Sequence, residues 1–170
     1  MKAIKYLLLC ATLTLFVSCG GGEEKKEEKK EVKIGSKETP KKEDSNTVNL
    51  GLTANDLMQF DKAELKVKAG QEVTLTLRHI GKEELIVMGH NFVLLKQGVD
   101  IPTFGMASAN AGQPKDWIPN DGKDIIAHTK MIGGGQSTSV TFTAPEVGTY
   151  DFVCSFPGHT AIMKGKFIVE

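Results

Sequence analysis

Apolar residues fall into three textures along this chain. Residues 6–17 form a nearly unbroken apolar run, residues 20–46 hold only Val32 and Ile34 among charged and small side chains, and from residue 47 onward apolar and polar positions alternate. The alternation has period two in Val73-Thr74-Leu75-Thr76-Leu77-Arg78, in Val140-Thr141-Phe142-Thr143 and in Tyr150-Asp151-Phe152-Val153-Cys154, and Met163-Lys164-Gly165-Lys166-Phe167-Ile168-Val169 closes the chain with its lysines on one face. That period marks strands with one face buried. Turn-forming residues punctuate them at Ala69-Gly70, Ile80-Gly81, Gly133-Gly134-Gly135 and Val147-Gly148. Several short strands at this spacing predict an all-β sandwich or barrel. Residues 98–124 break the pattern. There Asp100 is placed to cap a short helix with Pro102 in its first turn, ending near Gly112. The helix and the residues after it are expected to form a flap outside the strands, with Trp117 at least partly exposed beside Lys115, Asp116, Pro119 and Asn120.

The first texture reads as a targeting segment. Lys2 and Lys5 precede the apolar run, which is too short for a convincing transmembrane span. It ends in Phe16-Val17-Ser18-Cys19-Gly20. A small residue before a cysteine followed by glycines has the form of a lipoprotein signal over residues 1–18, with Cys19 lipidated as the first mature residue; the alternatives are ordinary cleavage near Ser18 and an uncleaved anchor. The second texture, residues 19–46 including Cys19, reads as a flexible charged linker. Its run Glu23-Glu24-Lys25-Lys26-Glu27-Glu28-Lys29-Lys30 sets like charges at every i,i+4 pair, which disfavours a helix. A chain of this length reaches ~30 Å in the root mean square. It serves equally as a swinging tether or as plain clearance from a surface. The folded domain is then residues 47–170.

The formal net charge is zero, so no basic excess points to nucleic acid. Of three cysteines, Cys10 leaves with the signal and Cys19 carries lipid, so Cys154 is the lone thiol of the domain and no disulfide can form inside it. In an exported domain that fits a cysteine reserved for metal.

Cys154-Ser155-Phe156-Pro157-Gly158-His159-Thr160-Ala161-Ile162-Met163 places a thiolate, an imidazole and a thioether within ten residues, and a second histidine stands upstream in Met88-Gly89-His90-Asn91. Singly, each has a plain reading: Cys154 as a buried thiol, His159 as a loop histidine, Met163 as core, His90 as a turn residue. Together they are the ligand set of a type 1, or blue, copper site holding one ion: one Cys, two His and a weak axial Met. The thiolate and imidazoles hold copper in either oxidation state, and the soft thioether suits Cu(I).

At these residues the chain resembles the azurins of the cupredoxin family. Asn55-Asp56-Leu57-Met58-Gln59-Phe60, Val87-Met88-Gly89-His90-Asn91, Gly105-Met106-Ala107-Ser108, Ile126-Ala127-His128-Thr129-Lys130 and residues 154–165 look like azurin segments in azurin order. The resemblance covers residues 47–170 and implies a Greek-key cupredoxin β-sandwich. It implies His90, Cys154 and His159 as equatorial ligands, Met163 as the axial one, and Gly89 facing the metal through its carbonyl. It further implies that Asn91 ties the two ligand segments together, that Phe156 and Pro157 wrap His159 with its ring edge at the surface, and that Met58, Met88 and Met106 belong to an apolar docking patch around it; core filling is the plain reading of these methionines. His79 matches a semi-buried histidine whose protonation can couple to redox state, although a satisfied structural role fits as well, and His128 is a surface histidine with no assigned role. Two departures stand out. The disulfide near the azurin N-terminus is missing, and the tryptophan that azurins often bury after Gly-His-Asn is Phe92 here.

The function expected is single-electron transfer in the cell envelope, between a redox protein donor and acceptor, by a membrane-anchored monomer that is not an enzyme and binds no nucleic acid. A copper enzyme would need a second copper centre, for which the domain's four histidines, none adjoining Cys154, do not suffice. A copper delivery or storage module is the other alternative.

Overall fold

The computed structural model describes residues 46–170; the proposed signal peptide, Cys19 and all of the linker but Asn46 lie outside the described residues. Nine strands run through the described residues: β1 (Thr47–Asn55), β2 (Gln59–Phe60), β3 (Glu64–Val67), β4 (Glu72–His79), β5 (Val93–Leu95), β6 (Ile125–His128), β7 (Ser137–Thr143), β8 (Gly148–Val153) and β9 (Lys164–Val169). They form two sheets, ordered β2-β1-β4-β7 and β3-β9-β8-β5-β6. The alternating segments of the sequence become β4, β7, β8 and β9. In β4, Val73, Leu75 and Leu77 point inward and are fully buried. The pairings β1 with β4 and β3 with β9 are parallel, the others antiparallel. This is the expected cupredoxin sandwich, its core filled by residues such as Leu52, Leu75, Phe92, Phe152 and Phe167. Phe92 occupies a buried aromatic position against Phe152, with ring centroids 5.4 Å apart.

The expected helix is present as α2 (Ile101–Ala111), which follows the single turn α1 (Leu85–Met88). Asp100 caps α2 by accepting from the Thr103 amide at 3.0 Å, Pro102 stands in the first turn, and Gly112 ends it with φ 70°. A C-terminal residue in that left-handed region favours glycine. The helix covers the outer face of the second sheet. Phe104 and Ile118 join Val93, Leu95, Ile125 and Val153 in a small second cluster, while Leu94, Phe152 and Cys154 face the main core. This two-sided cover explains why all three residues of β5 are buried.

One expectation fails here. Trp117 is not exposed: it is 5% accessible and belongs to the main core cluster. Asp116 and Trp117 both adopt left-handed backbone, with φ 50° and 53°, which turns the indole inward while Lys115 stays outside. A bulky residue in that region costs on the order of 1–3 kcal/mol and persists where the surroundings fix it. The polarity of its sequence neighbours misled because an irregular loop has no periodicity to relate neighbours to faces. Residues 117–119 are therefore part of the core wall, while α2 and residues 113–115 lie outside it. The fluorescence of Trp117 in the copper-free chain is expected to be blue-shifted relative to free indole and resistant to acrylamide; red-shifted, readily quenched emission would place it in solvent.

Candidate metal centre

Two segments far apart in the chain meet at one end of the sandwich. The first runs out of α1 through Gly89 to His90, which pairs with Ile132 through two backbone hydrogen bonds of 2.9 Å before β5 begins. Gly89 has to be glycine: a Cβ there would lie 2.6 Å from the Leu85 carbonyl oxygen and 3.0 Å from the Phe156 ring. The second segment leaves β8 at Cys154 and returns at Met163, whose carbonyl accepts from the Cys154 amide at 3.0 Å. Between them, Phe156-Pro157-Gly158-His159 makes a turn closed by the His159 amide on the Phe156 carbonyl at 3.0 Å, with Gly158 at φ 82°. Proline second and a positive-φ glycine third are what a type II turn requires.

Cys154, His90 and His159 present three donor atoms within 4.8 Å of one another, and all three residues are buried. Cys154 Sγ is 3.8 Å from His90 Nδ1, 3.6 Å from His159 Nδ1 and 3.8 Å from the Gly89 carbonyl oxygen. A metal with bonds of ~2.0–2.3 Å to nitrogen and sulfur at trigonal angles needs such atoms about 3.6 Å apart. The donors therefore fit a shared ion. Met163 is fully buried in the same core cluster as Cys154 and Phe156.

Hydrogen bonds behind the donors fix His90 and the cysteine segment. His90 Nε2 lies 2.9 Å from the Asn55 carbonyl oxygen. A carbonyl can only accept, so Nε2 carries the proton and Nδ1 keeps its lone pair facing the sulfur. Asn91 donates to Ser155 Oγ at 2.8 Å and accepts from the Ser155 amide at 2.9 Å, tying the two segments together. Thr160 Oγ1 donates to the Cys154 carbonyl at 3.2 Å. His79 is fully buried and stacks on His90 with centroids 4.4 Å apart; its Nε2 donates to the Met88 carbonyl at 2.9 Å and its Nδ1 accepts from the Gly81 amide at 3.0 Å. Both its nitrogens are satisfied, as a structural histidine requires. His128 is exposed.

At the surface, Met106 is 65% exposed and Pro157 is exposed, whereas Met58 and Met88 are half-buried. His159 itself is only 3% exposed, and its Nε2, which no hydrogen bond among the described residues partners, reaches the surface. Three contributors carried no sequence signal. Asn55 acts through its backbone carbonyl, and Trp117 sits in an irregular loop. Met131, buried with its Cγ 3.0 Å from where a Gly89 Cβ would stand, lies outside the ligand strings.

The model of the copper binding proteins of the plastocyanin/azurin family matches residues 46–170. Azurin-1 of Alcaligenes xylosoxydans xylosoxydans is 43% identical over 121 residues, 69% of this chain and 93% of that one. The outer membrane protein H.8 of Neisseria gonorrhoeae is 40% identical over 118 residues, 66% of this chain and 62% of its own length. The solved structure of auracyanin A, a blue copper protein from Chloroflexus aurantiacus, superposes with a TM-score of 0.67 at 34% identity, covering 73% of this chain and 99% of that one. A Greek-key sandwich with a buried Cys and two His at one end defines a cupredoxin. This chain belongs to the plastocyanin/azurin family, and its site fits a single type 1 copper ion.

Burial holds the imidazoles of His90 and His159 down to about 4 and pushes the Cys154 thiol up to about 12 when no metal is bound. At neutral pH the histidines are therefore ready to bind, while Cys154 must lose a proton. Copper uptake is expected to release close to one proton, and affinity should rise about tenfold per pH unit between ~5 and ~9. The sign follows from the thiol: the copper-free protein carries the extra proton, so higher pH favours binding. As pH falls toward about 4 the two histidines take up protons as well and the dependence steepens. Calorimetry in buffers of different ionisation enthalpy measures the proton count; a count of zero at pH 7 would contradict the thiol assignment.

Proposed function

We propose that the protein carries single electrons in the cell envelope, with copper that would be held by His90, Cys154 and His159 together with Met163 and the Gly89 carbonyl. The observation that carries this reading is the convergence of three buried donors, with His90 held by the Asn55 carbonyl and the Cys154 segment tied to the His90 segment through Asn91. Copper bound there supplies a one-electron couple. Asn55 fixes the His90 tautomer, Asn91 and Ser155 hold Cys154, and the surrounding core excludes water. Donors held this way need not rearrange when charge changes, which suits a carrier better than an enzyme that must open its site to substrate. Met106 and Pro157, with the half-buried Met58 and Met88, offer an apolar surface for the small, weak encounters that electron transfer uses. We take the protein to act as a monomer between a donor and an acceptor protein.

We further propose membrane attachment through lipidated Cys19. Ser18-Cys19-Gly20 after the apolar run supports it, and the relative from Neisseria gonorrhoeae is named for the outer membrane. Among the described residues no helix is long and apolar enough to cross a membrane. Delivery or storage of copper is the rival reading, and the burial of all three donors disfavours it.

The copper-loaded chain is expected to be intensely blue with a narrow EPR hyperfine splitting and to cycle reversibly without losing metal. Cys154→Ala should be colourless but folded. Met163→Leu should stay blue with a higher reduction potential, since losing a donor and drying the site penalise Cu(II) more. A blue Cys154→Ala, or a potential that drops in Met163→Leu, would refute the ligand assignment. Copper that exchanges rapidly on each reduction would favour delivery.

For the anchor, the full chain expressed in a bacterial envelope should incorporate labelled fatty acid and sediment with membranes, and Cys19→Ala should abolish both. Unchanged sedimentation of the mutant would point to an uncleaved N-terminal segment instead.

A further inference from the structure

His159 is the exception among the three buried rings at the metal end. His90 is held by the Asn55 carbonyl, and His79 by the Met88 carbonyl and the Gly81 amide. The hydrogen bonds of the described residues give the His159 ring one contact, its Nδ1 on Cys154 Sγ at 3.6 Å, and that is the nitrogen the metal would use. Its orientation is set by packing instead. Phe156 lies against it with centroids 4.7 Å apart and rings at 44°, and Trp117 lies against Phe156 at 5.0 Å and 50°. His90 faces its other side at 5.1 Å. Phe156 cannot retreat toward the first segment, because its ring already closes on Gly89 at the distance where a Cβ would collide. On its other flank, Trp117 is what keeps it in place. The left-handed backbone at Trp117 delivers the indole there against its own steric preference.

We propose that Trp117 is a positioning residue for His159, acting through Phe156: the indole braces the phenyl ring, and the phenyl ring holds the imidazole over the sulfur. This deepens the reading of His159 as a copper ligand and rests on it. The brace replaces the hydrogen bond that His90 has and His159 lacks. Tilted aromatic pairs carry orientation as well as area, because ring edges and faces bear opposite partial charge. A purely aliphatic filler would occupy the space without setting the angle.

The test uses the full chain and four variants. Trp117→Ala and Trp117→Leu remove the ring, Trp117→Phe keeps one, and Val73→Ala destabilises the same sandwich from afar. Val73 lies six residues before His79 on β4, about 20 Å from the metal end. Two readouts are needed: release of Cu(I) to an excess of chelator, and the His159 ring resonances of the copper-free chain. Trp117→Ala and Trp117→Leu are expected to release copper roughly three- to tenfold faster, as loss of one aromatic pair implies. They should also shift the reduction potential and broaden or split the His159 resonances. Trp117→Phe should stay within about twofold of the parent. Val73→Ala should lower the melting temperature and leave both readouts alone. If Trp117→Ala does not fold, Trp117→Leu carries the same expectation. Ring-deleted variants that match Val73→Ala in copper release and keep sharp His159 resonances would overturn the proposal. The resonances do not depend on copper, so a chain that never forms a blue site fails the copper reading alone and is recognised as such.

Discussion

The metal end of this protein is held together by two hydrogen bonds between Asn91 and Ser155, one in each direction, at 2.8 and 2.9 Å. His90 comes from one segment and Cys154 from another, 64 residues later in the chain. Nothing covalent joins them, since Cys154 is the one cysteine of the folded residues and is free. Both members of the pair are fully buried, so breaking it would leave polar groups without water or partner, at about 1–3 kcal/mol for each orphaned group. That penalty fixes the separation of imidazole and thiol before any ion arrives. The neighbouring pairings, His90 with Ile132 and Cys154 with Met163, extend the same lock along both segments.

A preformed cluster of this kind has an electrostatic consequence. Its burial is unfavourable to every charged form it could take: the histidines resist protonation and the thiol resists ionisation. Without metal the site is neutral and tolerates its burial. A cation reverses the preference of the thiol alone, because the imidazoles bind in the neutral form they already have. The same low-dielectric enclosure that resists a thiolate on its own strengthens the attraction between thiolate and metal once both are present.

Much of this was legible in the sequence. Period-two alternation located β4, β7, β8 and β9, and Asp100, Pro102 and Gly112 located the cap, first turn and end of α2. The spacing of Cys154, His159 and Met163, with His90 upstream, placed the chemistry, because each donor is a side chain that has few other reasons to keep such company. What stayed hidden shares a different character. The parallel pairing of β1 with β4 depends on which strands meet, a long-range choice that alternation does not encode. The Asn55 carbonyl that orients His90 is backbone, identical in every residue type. Trp117 went inward because two successive left-handed residues turned it there, and neither Asp116 nor Trp117 announces that conformation.

The misjudged loop changes how the domain should be pictured. A flap that merely covered one sheet could be trimmed without touching the metal end. In fact α2 packs on the ligand loop: a Cβ at Gly105 would stand 3.1 Å from the Thr160 side chain, whose hydroxyl is bonded to the Cys154 carbonyl. The stretch after α2 then carries Trp117 to Phe156 and so to His159. The helical insertion therefore touches the second ligand segment twice, once through a hydroxyl behind the cysteine and once through aromatic rings behind the histidine. The first segment is secured by the sandwich itself, through β1 and the bridge at His90. The two halves of the site thus have different supports. Changes in α2 should act on the loop bearing Cys154 and His159 while leaving the surroundings of His90 as they are.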